Sequence, residues 1–336
     1  MDPASLPDFD QLPKVEGQPQ GCAWGLFDKD GKKDVLGTLN FLTPKIVAAA
    51  ATEIKEGISI SLNWPLNAIK IPTGRKQTVH RAFPLRDAGF DADGWDDELE
   101  FNTQSSSQWD SLCHVTKDGL AYNGVKAASK DDISAETTAE NTLPTVDQWH
   151  VRGAVAGRGV LIDWKLYHEE TTGTPFHALD GYRITVEDLE TAAKHFGVEF
   201  RHGDILIVRT GITEILEAPT PADFEKFQRV TLAGVHGTEE TARWLWNHRF
   251  AAVAGDSMAF EALPPLKPDG TVARYTDLAL HPWLLTQFGM PIGELWDLKA
   301  LSEHCKKTGR YTFFLTSVPL NHPGLIASPP NALALF

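Results

Sequence analysis

Gly159-Val160-Leu161-Ile162-Asp163 and Ile205-Leu206-Ile207-Val208-Arg209 decide the fold class. Each is a short, continuous aliphatic run closed by a charged residue, which is strand length and strand composition. Continuous rather than alternating apolarity leaves no face for water, so such strands must be covered on both sides. Ala251-Ala252-Val253-Ala254 and Thr312-Phe313-Phe314-Leu315-Thr316 read the same way. Covers are at hand. Thr43-Pro44 opens a helix through Ile46, Val47, Ala50 and Ile54 to Gly57, and three more run from Thr185 to His195, Thr238 to Asn247 and Leu298 to Thr308. A threonine hydroxyl caps orphan N–H groups, proline in the first turn has no N–H to lose, and Lys306, Lys307 and Gly309 suit a helix C-terminus. The expectation is an α/β chain with buried strands under helices.

No break in composition divides the 336 residues. We expect an N-terminal arm over residues 1–20, rich in Pro, Asp and Gln, and one domain over 21–336 with order beginning near Trp24. With 42% hydrophobic residues and ten tryptophans there is ample material for a core. A net charge of −14 disfavours nucleic acid, which needs clustered cations. No apolar run approaches the roughly 20 residues that span a bilayer, and Met1-Asp2-Pro3 does not open a signal peptide, so a cytoplasmic protein without a membrane partner is expected. Cys22, Cys113 and Cys305 have no pairing or metal spacing. The segment from about Ala82 to Asn102, crowded with aspartates, reads as a solvated loop; no Glu closes a calcium-loop pattern.

Between Gln104 and His114 the potentially ligating side chains, Gln104, Gln108, Asp110 and His114, fall on even positions. In an extended segment they share a face, and in a helix Asp110 and His114 meet at i, i+4. Either geometry brings a carboxylate to an imidazole. The plainer alternative makes Asp110 a turn cap and His114 a satisfied core histidine. Far along the chain, His281-Pro282-Trp283 and Gly293-Glu294 set a second imidazole and carboxylate beside apolar residues, as a divalent ion or a proton-transfer site requires. Trp109 and Trp283 flank these groups and pack either in the core or against a flat substrate. His236, ahead of the helix start at Thr238, faces an anionic group or belongs to a plain turn.

Several stretches together carry a resemblance. They are Trp24-Gly25…Gly37-Thr38-Leu39-Asn40…Leu42-Thr43-Pro44, Ser107-Gln108-Trp109-Asp110-Ser111-Leu112-Cys113-His114, Gly157 to Asp163, Gly203 to Gly211, Trp244-Leu245-Trp246, Gly255-Asp256-Ser257…Phe260-Glu261 and His281…Leu284-Leu285…Glu294. The chain resembles the cyclase family that includes bacterial kynurenine formamidase and isatin hydrolase, and more closely its fungal-type branch. That resemblance implies the swivelling β/β/α fold, a mixed β core flanked by helices. It implies that Asp110, His281 and Glu294 hold a divalent ion, with Gln108 completing the shell. It makes His114, with His281 and Glu294, catalytic, and has Gln104 and Gln108 orient substrate; Trp109, Trp283 and His236 stand beside them as candidate substrate contacts by their positions alone. It also implies a homodimer or homotetramer.

The family pattern His-x-Gly-Thr-His-x-Asp-x-Pro-x-His lays its Asp on Asp110 and its last His on His114, but its first two histidines fall on Gln104 and Gln108. An amide carbonyl is a weaker, harder ligand than imidazole, so the ion, Mn, Zn or Mg, should bind less tightly and tilt toward Mn or Mg. The leading expectation is a metal-dependent hydrolase of a cyclic or aromatic amide, lactam or lactone. The rival is a metal-poor cyclase or dehydratase of small-molecule biosynthesis working by His/Glu acid–base chemistry. A third is a non-catalytic small-molecule binder.

Overall fold

A computed structural model describes residues 2–69, 74–126, 129–130, 132–267 and 269–336. Among the described residues thirteen strands form: β1 (Ser59–Ser61), β2 (Val79–Pro84), β3 (Trp95–Glu100), β4 (Gln108–Asp110), β5 (Val155–Asp163), β6 (Arg183–Ile184), β7 (Ile205–Arg209), β8 (Gly234–Val235), β9 (Ala252–Gly255), β10 (Ile292–Glu294), β11 (Thr312–Ser317), β12 (Ala327–Ser328) and β13 (Ala332–Leu335). Nine of them make one mixed sheet in the order β1-β13-β11-β5-β7-β9-β10-β4-β12. Its centre, β5-β7-β9-β10, is parallel, and the strands to either side are antiparallel. Every residue of β7 and β9 is buried, as the continuous apolar runs require.

The helices are α1 (Pro44–Ala50), α2 (Gln148–Val151), α3 (Trp164–Thr172), α4 (Val186–His195), α5 (Ile212–Glu217), α6 (Pro221–Gln228), α7 (Glu239–Asn247) and α8 (Lys299–Thr308). Thr43, Thr185 and Thr238 cap α1, α4 and α7 through their hydroxyls, and left-handed Gly309 ends α8. α1, α3 and α4 pack on β5 and β7. The first helix stops seven residues short of Gly57: the chain tightens at Ala51–Glu53, where buried Glu53 pairs with Arg158 at 3.4 Å. No helix of the described residues is long and apolar enough to cross a membrane.

Two segments depart from expectation. Order begins well before Trp24, because Leu6, Phe9 and Leu12 are buried knobs that a Pro- and Asp-rich composition conceals. The Phe9 ring lies 5.2 Å from that of Trp283, its N–H donates to Asn247 Oδ1 at 2.8 Å, and Arg249 donates to Leu6 O and Asp8. Burying each of those three side chains is worth about 1.5–3 kcal/mol, enough to dock the arm on the body. The aspartate-rich segment is a loop only in its middle: its ends pair as a hairpin, β2 with β3, and Leu85 to Gly94, with Asp87, Asp91 and Asp93, is the exposed connection. His80 meets Asp97 at 2.8 Å and Arg81 faces Glu98 and Glu100, so cations on one strand oppose the acids of the other.

Candidate active site

β10 and β4 pair antiparallel with Glu294 opposite Gln108 and Ile292 opposite Asp110. Alternation therefore puts Gln108, Asp110 and Glu294 on one face, all buried. Trp109, between them, points to the other face, which corrects its assignment to the substrate. Its ring lies 4.9 Å from that of Trp296 and 5.9 Å from that of Trp149, fully buried, and its indole donates to Ser317 Oγ at 2.8 Å. Opposite it stands Gly293, where a Cβ would fall 2.7 Å from that of Ala254 and 2.8 Å from Trp296 Nε1, so only glycine lets that cage close. Extended structure ends at Asp110; Ser111 to His114 is a turn, with His114 N–H donating to Ser111 O at 3.0 Å. The turn, not strand alternation, delivers His114. Burial and the charge of Asp147 push the Cys113 thiol up to about 12, an inert group.

His281 arrives from the start of the π-helical turn Pro282–Phe288. Glu261, buried, aims it. Its Oε1 accepts from His281 N and stands 2.9 Å from Nδ1, while Oε2 accepts from Ala279 N and Leu280 N at 3.1 Å each. The other ring nitrogen, Nε2, lies 3.2 Å from Glu294 Oε1. Burial opposes charge on His281, but hydrogen bonds to Glu261 and Glu294 outweigh it and hold the imidazole up at about 10. Burial and the neighbouring Asp110 push Glu294 up to about 7. Asp110, His281 and Glu294 place one ligand atom each within 4.8 Å of one another.

Two amides complete the cluster. Gln104 Nε2 donates to Asp110 Oδ1 at 2.7 Å and lies 3.1 Å from His114 Nδ1; Gln108 Nε2 donates to Glu294 Oε2 at 2.8 Å and lies 3.4 Å from Asp110 Oδ1. Gln108 thus turns N–H groups, which bind no metal, toward the carboxylates, and its carbonyl faces Arg75 at 3.5 Å. The expected fourth ligand is in this arrangement a hydrogen-bond donor. The other three do fit an ion: Asp110 Oδ2 is buried without a hydrogen-bond partner, and a Glu261-backed imidazole is the usual way to orient a metal-binding histidine. Such an unpartnered buried oxygen costs about 1–3 kcal/mol and is discharged by a cation.

His114 links the cluster to a cavity of about 660 Å³, which Val115, Leu278, Pro282, Trp283 and Gln287 also line. Burial, with the positive neighbours His281 and Arg75, keeps the His114 pKa below its usual value against the pull of Asp110. Trp283, half-buried, lines this cavity beside Pro282. His236 is not in this cavity; it lines an adjacent one of about 710 Å³ with Thr238 and Lys267, and Asp277 and Ala279 border both. Its separation follows from β8, which carries the chain behind Glu261. Two residues that touch the cluster are not singled out by the sequence, Glu261 and Arg75. Glu261 lies inside a family-like stretch, which was the available signal; Arg75, on an irregular segment, carries none.

Comparison with known proteins bears on this geometry. The Cyclase family model matches residues 44–262. A crystal structure described as a novel cyclase is 30% identical, covering 94% of this chain and 99% of its own, with a TM-score of 0.76. Isatin hydrolase A from Labrenzia aggregata, bound to benzyl benzoate, is 16% identical over 88% of this chain and 98% of its own, with a TM-score of 0.53. An isatin hydrolase bound to the product analogue thioisatinate is 12% identical over 89% and 97%, with a TM-score of 0.56. At those identities the last two share the fold. No curated protein sequence matches the chain.

Proposed function

Since the chain belongs to the cyclase family, we propose that it is a hydrolase of a cyclic or aromatic amide, lactam or lactone, dependent on one divalent ion. The observation that carries this reading is the convergence of Asp110, His281 and Glu294, with one Asp110 oxygen buried and without a hydrogen-bond partner. Those three residues would hold the ion, which when bound supplies Lewis acidity and makes water more acidic. The chain's own groups do the rest. His114, kept neutral near pH 7 by its lowered pKa, takes a proton from water as it adds to the carbonyl, and returns it to the departing nitrogen or oxygen as the C–N or C–O bond breaks. Gln104 orients His114, and Trp283 with Pro282 lends an apolar wall to a ring.

The test is metal content of the purified protein before and after Asp110→Ala, with turnover of a panel that includes isatin, a simple lactone and an aryl formamide. Absence of any stoichiometric divalent ion from the unmodified protein, with no activation by added Mn2+, refutes the ion-dependent step. A specific observation favours the second reading, a metal-poor cyclase or dehydratase: amide N–H groups and a cationic His281 already neutralise the carboxylates. Under it, activity survives chelation. For a non-catalytic binder, His114→Ala and Glu294→Ala leave every turnover unchanged. A homodimer or homotetramer is proposed with it, and a monomeric mass in light scattering would refute that.

A further inference from the structure

We propose that Arg75 is a positioning residue that sets the metal affinity of this site by locking the Gln108 amide with its nitrogen toward the carboxylates. The inference rests on the reading that Asp110, His281 and Glu294 take a divalent ion.

The orientation follows from donor and acceptor inventory. The Gln108 side chain lies between groups of opposite kind. On one side are Glu294 Oε2 at 2.8 Å and Asp110 Oδ1 at 3.4 Å, which as carboxylates only accept. On the other is Arg75 Nη1 at 3.5 Å, and a guanidinium only donates. One amide rotamer satisfies both sides, with Nε2 inward and Oε1 toward Arg75. Arg75 is itself anchored, its Nη1 lying 2.5 Å from Gln104 O, so the lock is tied to the same segment that supplies Gln104.

For Gln108 to offer its carbonyl to an ion, the amide must turn over. Nε2 of the fully buried Gln108 would then face Nη1, donor against donor. Arg75 opposes the ion twice: it holds the one neutral oxygen donor away, and it adds a positive charge beside a site that must accept another. A histidine at position 108 would be free of this lock, because it needs no outward oxygen. The consequence is a built-in brake on metal loading specific to a chain with glutamine there.

The experiment uses chelator-treated full-length protein and Mn2+ alone, followed by the paramagnetic resonance signal of free Mn2+ and by calorimetry. Arg75→Met binds Mn2+ about 10- to 100-fold more tightly than the unmodified protein, the size of one charge plus one recovered ligand in a partly buried site. On a Gln108→Met background, where no amide can turn, the same substitution keeps only the effect of the lost charge, so its gain is at least about threefold smaller. Equal or weaker binding in Arg75→Met overturns the proposal, as does an equal gain on both backgrounds. A residue that merely supported the fold would lower affinity when removed. Should Arg75→Met melt early, Arg75→Gln, too short to reach Gln108, repeats the comparison. An unmodified protein that binds no Mn2+ refutes the ion-dependent reading above, while tight binding by Arg75→Met in that case still supports the lock.

Discussion

Replacing Glu261 by glutamine separates the aiming of His281 from its presence. The carboxylate accepts from three backbone N–H groups, those of Ala279, Leu280 and His281, and faces His281 Nδ1. An amide of the same shape keeps one acceptor and turns an NH2 group on the other pair. With its oxygen toward His281 it opposes two backbone donors; reversed, it opposes His281 twice. Either way two charge-assisted bonds are lost, at about 1.5–3 kcal/mol each, offset in part because a buried charge goes with them. The net cost is about 2–4 kcal/mol. For 336 residues the entropy of unfolding is about 0.7 kcal/mol/K, so Tm falls by roughly 3–6 °C. The second effect is on metal: loss of the carboxylate behind a ligating imidazole lowers affinity about 10- to 100-fold. Calorimetric melting and Mn2+ titration of Glu261→Gln read both. A variant within 1 °C and twofold of the parent would show that Glu261 neither sets His281 nor preorganises the cluster.

Other expectations follow from the same geometry. Trp109→Ala empties a closed aromatic cage and should cost about 3–5 kcal/mol, while Trp109→Phe should melt lower with an unchanged KM; a raised KM at constant Tm would restore Trp109 to the substrate. The acid limb of kcat/KM should have its midpoint below 6.5, because a base acts when deprotonated and His114 titrates below its usual value; rate is lost as pH falls through that pKa. His114→Asn should remove the limb and about 10²–10⁴-fold of rate, and a profile unchanged by it would exclude His114. Cys113 should resist iodoacetamide at pH 8 in the native protein, and Cys113→Ser should keep activity within about threefold; rapid alkylation would contradict a thiol pushed up by burial.

Sequence by itself determined the elements whose cause is local. Ile205 to Arg209 forms the expected strand to the residue, and Thr185, Thr238 and Gly309 punctuate helices where their side chains or backbone freedom predict. The direction of Trp109 follows only once the segment is known to be a strand, which its sequence left open: a residue between Gln108 and Asp110 on a strand must face away from both. Apolar knobs in a polar arm, Leu6, Phe9 and Leu12, and an acidic hairpin stabilised by its partner strand were not, because composition averages hide what one contact decides.

Tertiary structure decided the site. Asp110 and Glu294 lie 184 positions apart and meet only because β4 adds antiparallel to β10 at the edge of the sheet's parallel centre, in a register that no local signal specifies. Glu261 earns its role through backbone N–H groups, which look alike in every sequence. The direction of the Gln108 amide depends on a carboxylate before it and a guanidinium behind it. Hydrogen-bond polarity is a property of neighbours in space, and only the fold says which those are.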